Sequence, residues 1–222
     1  MCTLARAALT ISLALAALLA LPACAISNSG ESAARSPSTV PEVFTGPVYV
    51  LFQTTQGEIA VELDGQRAPV SVANFLGYAD RGDYSNTIFH RVIPGFVVQG
   101  GGYSIDFIEH KGQAPIVNEW TNGLKNTRGT IGMARDSAPD TATREFYFNC
   151  ADNARLDTAR EKTGNAGYAV FGHIVRGMNV LDAIRTAPTS PRPDTDMLDV
   201  PVEPVIVISV TRVSSQRALS DR

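Results

Sequence analysis

Phe89-His90-Arg91-Val92-Ile93-Pro94-Gly95-Phe96-Val97-Val98-Gln99, continued by Gly100-Gly101-Gly102, sets two apolar runs on either side of a Pro-Gly step. Pro presets φ and Gly accepts φ > 0, so Pro94-Gly95 suits a tight turn or bend. On extended chain, residues two apart share a face. Phe89, Arg91 and Ile93 are therefore expected on one side, with His90 and Val92 on the other. After the turn, Val97 and Gln99 share one face, and Phe96 and Val98 the other. One guanidinium and one amide then converge beside apolar walls. The glycines read as a bend, because they lack the Lys and Ser/Thr of a phosphate-binding loop.

The flanking sequence repeats this short-strand character. Val48–Phe52 and Glu58–Leu63 are expected to form a hairpin through Thr55-Gln56-Gly57. Further strands are expected at Ile88–Val92, Phe96–Gln99, Thr130–Ala134, Phe146–Asn149, Ala169–Val175 and Pro204–Val213, the last alternating strongly. Val72, Phe75, Leu76 and Ala79 recur at helical spacing, so Ala68–Ala79 should be a helix, with Pro69 in its first turn and Arg81-Gly82 at its end. Met178–Thr186 should be a second, with Met178, Leu181 and Ile184 on one face. Many short strands with two separated helices point to a closed antiparallel barrel rather than a βαβ sheet.

The opening stretch matches the signature F-H-R-x-I-P-G-F-x-x-Q-G-G at every fixed position. It resembles the cyclophilin family of peptidyl-prolyl isomerases, over roughly Pro47 to Val213. The resemblance implies a mainly β fold: an eight-stranded antiparallel barrel capped by a helix at each end. It implies that Arg91 approaches the proline nitrogen and draws its lone pair out of conjugation. Guanidinium suits that task, being always charged and rigidly forked. Phe96 would floor the pocket, and Gln99 would orient Arg91 or the peptide. Val97 stands where many relatives carry methionine. Gly132-Met133-Ala134-Arg135 resembles the family's M-A-N or M-A-R segment, which makes Ala134 and Arg135 candidates for substrate contact. His90 is expected to be structural and to point away from Arg91.

Other positions depart from the family pattern. Glu145 replaces a glutamine and could pair with Arg91, either orienting it or tying it up. Tyr147 replaces a pocket phenylalanine and brings a hydroxyl that needs a partner if buried. Arg155 replaces an aromatic, which implies weak cyclosporin binding, while Leu156 keeps that wall apolar. Tyr168 stands where eukaryotic members have histidine.

Prolyl isomerisation makes and breaks no covalent bond, and its barrier of ~20 kcal/mol is lost amide resonance. No cofactor or metal is expected. The three histidines show no metal-ligand spacing, and no G-x-S-x-G is present. Net charge is −3 with no basic run, which leaves no case for nucleic acid.

At the N-terminus, Arg6 is the only charge before an apolar run from Ala7 to Leu21. This reads as an export signal over residues 1–24, short for a membrane span of ~20 apolar residues. Leu21-Pro22-Ala23-Cys24 resembles a bacterial lipobox with an unusual Pro22, so lipidation of Cys24 is expected. Ala23-Cys24-Ala25 also reads as an ordinary cleavage site. Residues 25–46 read as a linker, 47–214 as the isomerase domain and 215–222 as a polar tail. Cys150 then stands alone, as a buried and inert thiol. The reading is an exported, lipid-anchored, monomeric isomerase acting on proline-containing peptides and unfolded envelope proteins in the periplasm. A proline-binding chaperone or scaffold with weak catalysis is the alternative.

Overall fold

A computed structural model describes residues 43–193 and 195–220. The export signal, Cys24 and most of the expected linker lie outside the described residues. In chain order the elements are β1 Val48–Thr54, β2 Gly57–Leu63, α1 Pro69–Asp80, β3 Thr87–Val92, β4 Val97–Ser104, β5 Thr130–Met133, β6 Phe146–Asn149, β7 Val170–Arg176, α2 Met178–Arg185, β8 Thr189–Ser190, β9 Val200–Pro201, β10 Ile206–Val213 and α3 Ser215–Leu219. Eight strands close an antiparallel barrel in the order β1-β10-β3-β4-β6-β5-β7-β2, with β2 returning to β1. The expected architecture is therefore found. β8 and β9 form a separate two-stranded pair that short-range patterning did not reveal.

The barrel interior is filled by rings. Phe52, Phe75, Phe89, Phe146, Phe148 and Phe171 are all fully buried. Phe146 meets Phe52, Phe75, Tyr84 and Phe89 edge-on at 5.3–6.2 Å, the geometry aromatic quadrupoles favour. Helix α1 buries the expected Val72, Phe75, Leu76 and Ala79. Its N-terminus has no cap from its own segment. Instead Glu119 reaches in from a distant loop, accepting from the Val70 and Ser71 N–H groups at 3.0 and 2.8 Å. Those are donors a helix start leaves orphaned. Gly82, at φ 75°, follows the helix as expected. In α2 the buried residues are Val180, Leu181 and Ile184, with Met178 half-buried.

The segment read as a polar tail carries α3. Ala218 packs on Leu51 and Ala60, and the Arg217 guanidinium pairs with Glu58 at 2.9 Å. Phe44, at the end of the segment read as a linker, packs on the main core. Cys150 is buried, and burial pushes its thiol up to about 12, which keeps it protonated and unreactive.

Candidate active site

The Pro94-Gly95 turn closes as its composition demands: Phe96 N–H donates to the Ile93 carbonyl, and Ile93 N–H to that of Val97, both at 2.9 Å. The strands it joins do not keep strict alternation. Phe89 pairs with Gly100 but Arg91 with Gln99, so His90 is an extra residue on β3. Such a bulge turns neighbouring side chains toward the same face. Phe89 consequently enters the core, away from Arg91, and His90 lines the same groove as Arg91. Both placements correct the expectation from period-two alternation. Phe96 belongs to the turn and packs with Val97, not with Val98, which faces the core. The triple glycine is not a bend but the middle of β4. Gly101 adopts φ 89°, and a Cβ on Gly102 would run into the Glu145 side chain.

A pocket of about 250 Å³ opens beside this bulge. Phe96, Val97, Tyr147, Leu156 and Tyr168 supply its rings and apolar wall, and Arg91, Gln99, Ala134 and Arg135 its polar rim. Thus nine of the ten candidate substrate-site residues surround one cavity. The tenth, Glu145, stands behind Gln99. The Gln99 amide donates to Glu145 Oε2 at 2.7 Å, and its carbonyl accepts from Arg91 Nη1 at 3.5 Å. Glu145 therefore reaches Arg91 only through Gln99, and the direct pairing that would tie up the guanidinium is not formed. Because Glu145 accepts, the Gln99 carbonyl is the end left to face Arg91.

The departures have physical partners. Tyr147 is buried, and its hydroxyl donates to Asn126 Oδ1 at 2.6 Å. Burial holds that phenol well above its usual pKa, so it stays a donor. Asn126, itself 1% exposed, also accepts from Asn149 and donates to Asp157 and the Tyr168 carbonyl. Nothing in short-range patterning marked Asn126, because its partners lie 21 to 42 positions away. Arg155 lays its guanidinium 4.4 Å from the Phe96 ring centre, so a cation–π contact stands where relatives have a ring. Arg135 stacks on Tyr168 at 4.3 Å and donates to loop carbonyls including Gly167 and Asp136 at 2.8 Å. It braces the pocket wall. The Ala134 N–H already donates to the Glu145 carbonyl, so a substrate strand paired there meets the Ala134 carbonyl.

His90 is 5% exposed, and burial, then the adjacent Arg91, pushes its imidazole down from 6.5 to about 4. The unfolded chain thus takes up that proton at a higher pH than the folded chain. Stability is lost as pH falls from about 6.5 to about 4, by at most about 3 kcal/mol. Glu145 offsets part of this, since burial raises its carboxyl and the fold then gains from its protonation. Urea denaturation across that window checks the sign, and His90→Gln should flatten the slope.

Among the described residues no three His, Cys, Asp or Glu side chains are grouped to hold a metal ion. Residues 49–212 match the family model described as cyclophilin type peptidyl-prolyl cis-trans isomerase/CLD. The chain is 48% identical to peptidyl-prolyl cis-trans isomerase A of Dickeya dadantii, over 74% of this chain and 84% of that one. It is 46% identical to peptidyl-prolyl cis-trans isomerase B of Escherichia coli, over 73% of this chain and 98% of that one. Its fold is similar to a Cryptosporidium parvum cyclophilin crystallised in the presence of the dipeptide Ala-Pro. That comparison gives a TM-score of 0.60 at 27% identity and covers 75% of this chain and 99% of that one. With the signature, the barrel and the relatives in agreement, the chain belongs to the cyclophilin-type peptidyl-prolyl cis-trans isomerases.

Proposed function

We propose that proline-containing segments of unfolded proteins are isomerised in the 250 Å³ pocket, with Arg91 as the catalytic cation. The observation that carries this is the Arg91–Gln99–Glu145 relay at the mouth of an apolar cavity. The proline ring fills the wall formed by Phe96, Val97, Tyr147, Leu156 and Tyr168. Arg91 then donates toward the imide nitrogen, whose lone pair becomes available only when the bond twists. A donor placed there favours the twisted state over both planar ones. Guanidinium remains charged at every relevant pH, so the chemistry needs no proton transfer. Exchange NMR on an X-Pro peptide with the purified protein tests this, and a rate equal to the uncatalysed one would reject it.

The relay gives Gln99 and Glu145 different weights. Gln99→Leu removes the hydrogen bond that steers Arg91, and a bond of that kind is worth about 0.5–1.5 kcal/mol. Activity should fall about tenfold. Glu145→Gln keeps an acceptor for Gln99 and should stay within about threefold of the parent. Steady-state kinetics on both variants would separate the two roles, and a Glu145→Gln loss as large as that of Gln99→Leu would contradict the relay.

We further propose that the protein is exported, anchored by a lipid on Cys24, and acts as a monomer in the bacterial envelope. Support comes from the Arg6 and Ala7–Leu21 pattern and from Leu21-Pro22-Ala23-Cys24. No helix among the described residues is long and apolar enough to cross a membrane. Radiolabelled palmitate incorporation, lost on Cys24→Ser, with release of the protein from the membrane fraction, tests the anchor.

A further inference from the structure

β4 and β6 pair from Val97 opposite Asn149 to Gly100 opposite Phe146. Beyond that point a side chain takes over. Gly101 turns to φ 89°, and its carbonyl accepts from Arg144 Nε at 2.7 Å. The same guanidinium donates to the Asp83 carbonyl, in the turn between α1 and β3. It lies 5.4 Å from the Tyr78 ring centre and 6.0 Å from that of Tyr84. Arg144 is 5% exposed, and its hydrogen bonds run to carbonyls, not to a carboxylate. Burying a charge costs stability unless it is compensated, and carbonyl dipoles and ring faces compensate this one only in part. A permanent cation in this place calls for a use.

That use lies one residue on, at Glu145. The backbone leading to it is pinned on both sides. Asn74 of α1 donates to the Thr143 carbonyl, the Tyr84 hydroxyl to the Arg144 carbonyl at 2.9 Å, and the Ala134 N–H to the Glu145 carbonyl at 3.0 Å. The Glu145 side chain then lies along β4, against Gly102, and ends at the Gln99 amide. Arg144 grips β4 at Gly101, between those two contacts in sequence. Its charge matters as well. Burial raises the Glu145 carboxyl and the Gln99 hydrogen bond lowers it; Glu109 and Asp136 push it up, while Arg144 pulls it down. The other neighbours bring no direct cation. His90, 3.5 Å from Glu145 Oε2, is kept neutral above about pH 4 by burial. Burial also raises the Tyr103 phenol, and Arg91 meets Glu145 only through Gln99.

We propose that Arg144 is a positioning residue of the isomerisation, a buried cation that sets the reach and the charge of Glu145 and, through Gln99, the aim of Arg91. The inference rests on the isomerase reading of the neighbouring pocket. Its carriers are the staple at Gly101, the pinned backbone of Thr143 to Glu145 and the unbroken contact from Glu145 to Gln99 to Arg91.

Kinetics by exchange NMR on an X-Pro peptide test it, with Arg144→Met, Gln99→Leu and the two combined. Arg144→Met keeps most of the volume and removes the charge and the donors. It should lower kcat/KM about tenfold, as Gln99→Leu does, with the loss in kcat, because no apolar wall of the pocket is touched. The double variant should lose little more than either single one, since both act through the same amide. In Arg144→Met the Glu145 carboxyl, followed by carbon NMR, should titrate at a higher pH than in the parent. Arg144→Lys keeps the charge and should recover activity to within about threefold of the parent. A folded Arg144→Met with parental kcat would overturn the proposal and leave Arg144 a purely structural residue. Losses that multiply to about a hundredfold in the double variant, or an unmoved Glu145 titration, would overturn it as well. Should Arg144→Met fail to fold, Arg144→Lys decides, through a threefold loss in kcat that vanishes in the Gln99→Leu background. Were no peptide isomerised by the parent, the isomerase reading would fall instead, and the Glu145 titration with the Gln99 side-chain amide signals would still show whether Arg144 sets them.

Discussion

Arg91→Ala should lower kcat/KM for an X-Pro peptide by about 10²–10³, the loss typical when a preorganised donor is removed from a transition state. The fold should barely register the change. Arg91 is half-buried, with contacts of 3.5 Å to Gln99 and 3.9 Å to Asp199, so its removal orphans no deeply buried charge. A melting temperature within a few degrees of the parent should accompany the lost activity. Arg91→Lys should recover only a small part, because a flexible ammonium lacks the planar fork that Gln99 orients. If Arg91→Ala kept the parental rate while still folded, the polarisation mechanism would be wrong, and binding without catalysis by this residue would be the better account. A mere surface ion pair with Asp199 predicts that outcome, which makes the measurement decisive.

Asn126→Ala should cost about 3–4 kcal/mol of stability, although Asn126 touches no substrate. Its side chain accepts from Tyr147 and Asn149 and donates to Asp157 and the Tyr168 carbonyl, all in one polar knot behind the pocket. Alanine would strand the buried Tyr147 hydroxyl and leave two acceptors short of a donor. An unpaired buried group of that kind costs about 1–3 kcal/mol. Tyr147→Phe removes one stranded group in advance, so in the Asn126→Ala background it should cost less than it does alone. Denaturant titration of the four proteins of this cycle gives the coupling directly. Additive losses would mean that the hydroxyl and the amide do not act as a unit. Tyr147 is also a wall of the proline pocket, so KM should rise in Asn126→Ala before the protein unfolds.

Much of this organisation was legible because it depends on neighbours in sequence. The Pro94-Gly95 turn, the helical spacing of Val72, Phe75, Leu76 and Ala79, and the alternation through Val205–Val213 are local patterns, and each led to an observed element. The residues that escaped notice are those whose meaning comes from remote partners. Glu119 caps α1 from 48 to 49 positions downstream. Arg144 is a charged side chain buried against carbonyls from two other segments. β8 and β9 are two residues each, too short to show a period. The bulge at His90 is instructive for the site, since alternation is a property of regular strands and one inserted residue reverses everything after it. That insertion separates Arg91 from Phe89, which stays in the core, and brings His90 to the groove. Glu145 was legible as a departure but not in its consequence, because the side chain it meets first, Gln99, lies 46 positions away.

The ring of strands is sealed by its first and last members, Tyr49 opposite Val213. During synthesis, the seam has no second edge until β10 has emerged. Until then β1 offers unpaired backbone to any extended polypeptide nearby. Stalled or C-terminally truncated chains should therefore be aggregation-prone rather than partly active, and sequence-remote pairing of this sort closes slowly. A prolyl isomerase of this topology thus becomes functional only at the end of its own folding.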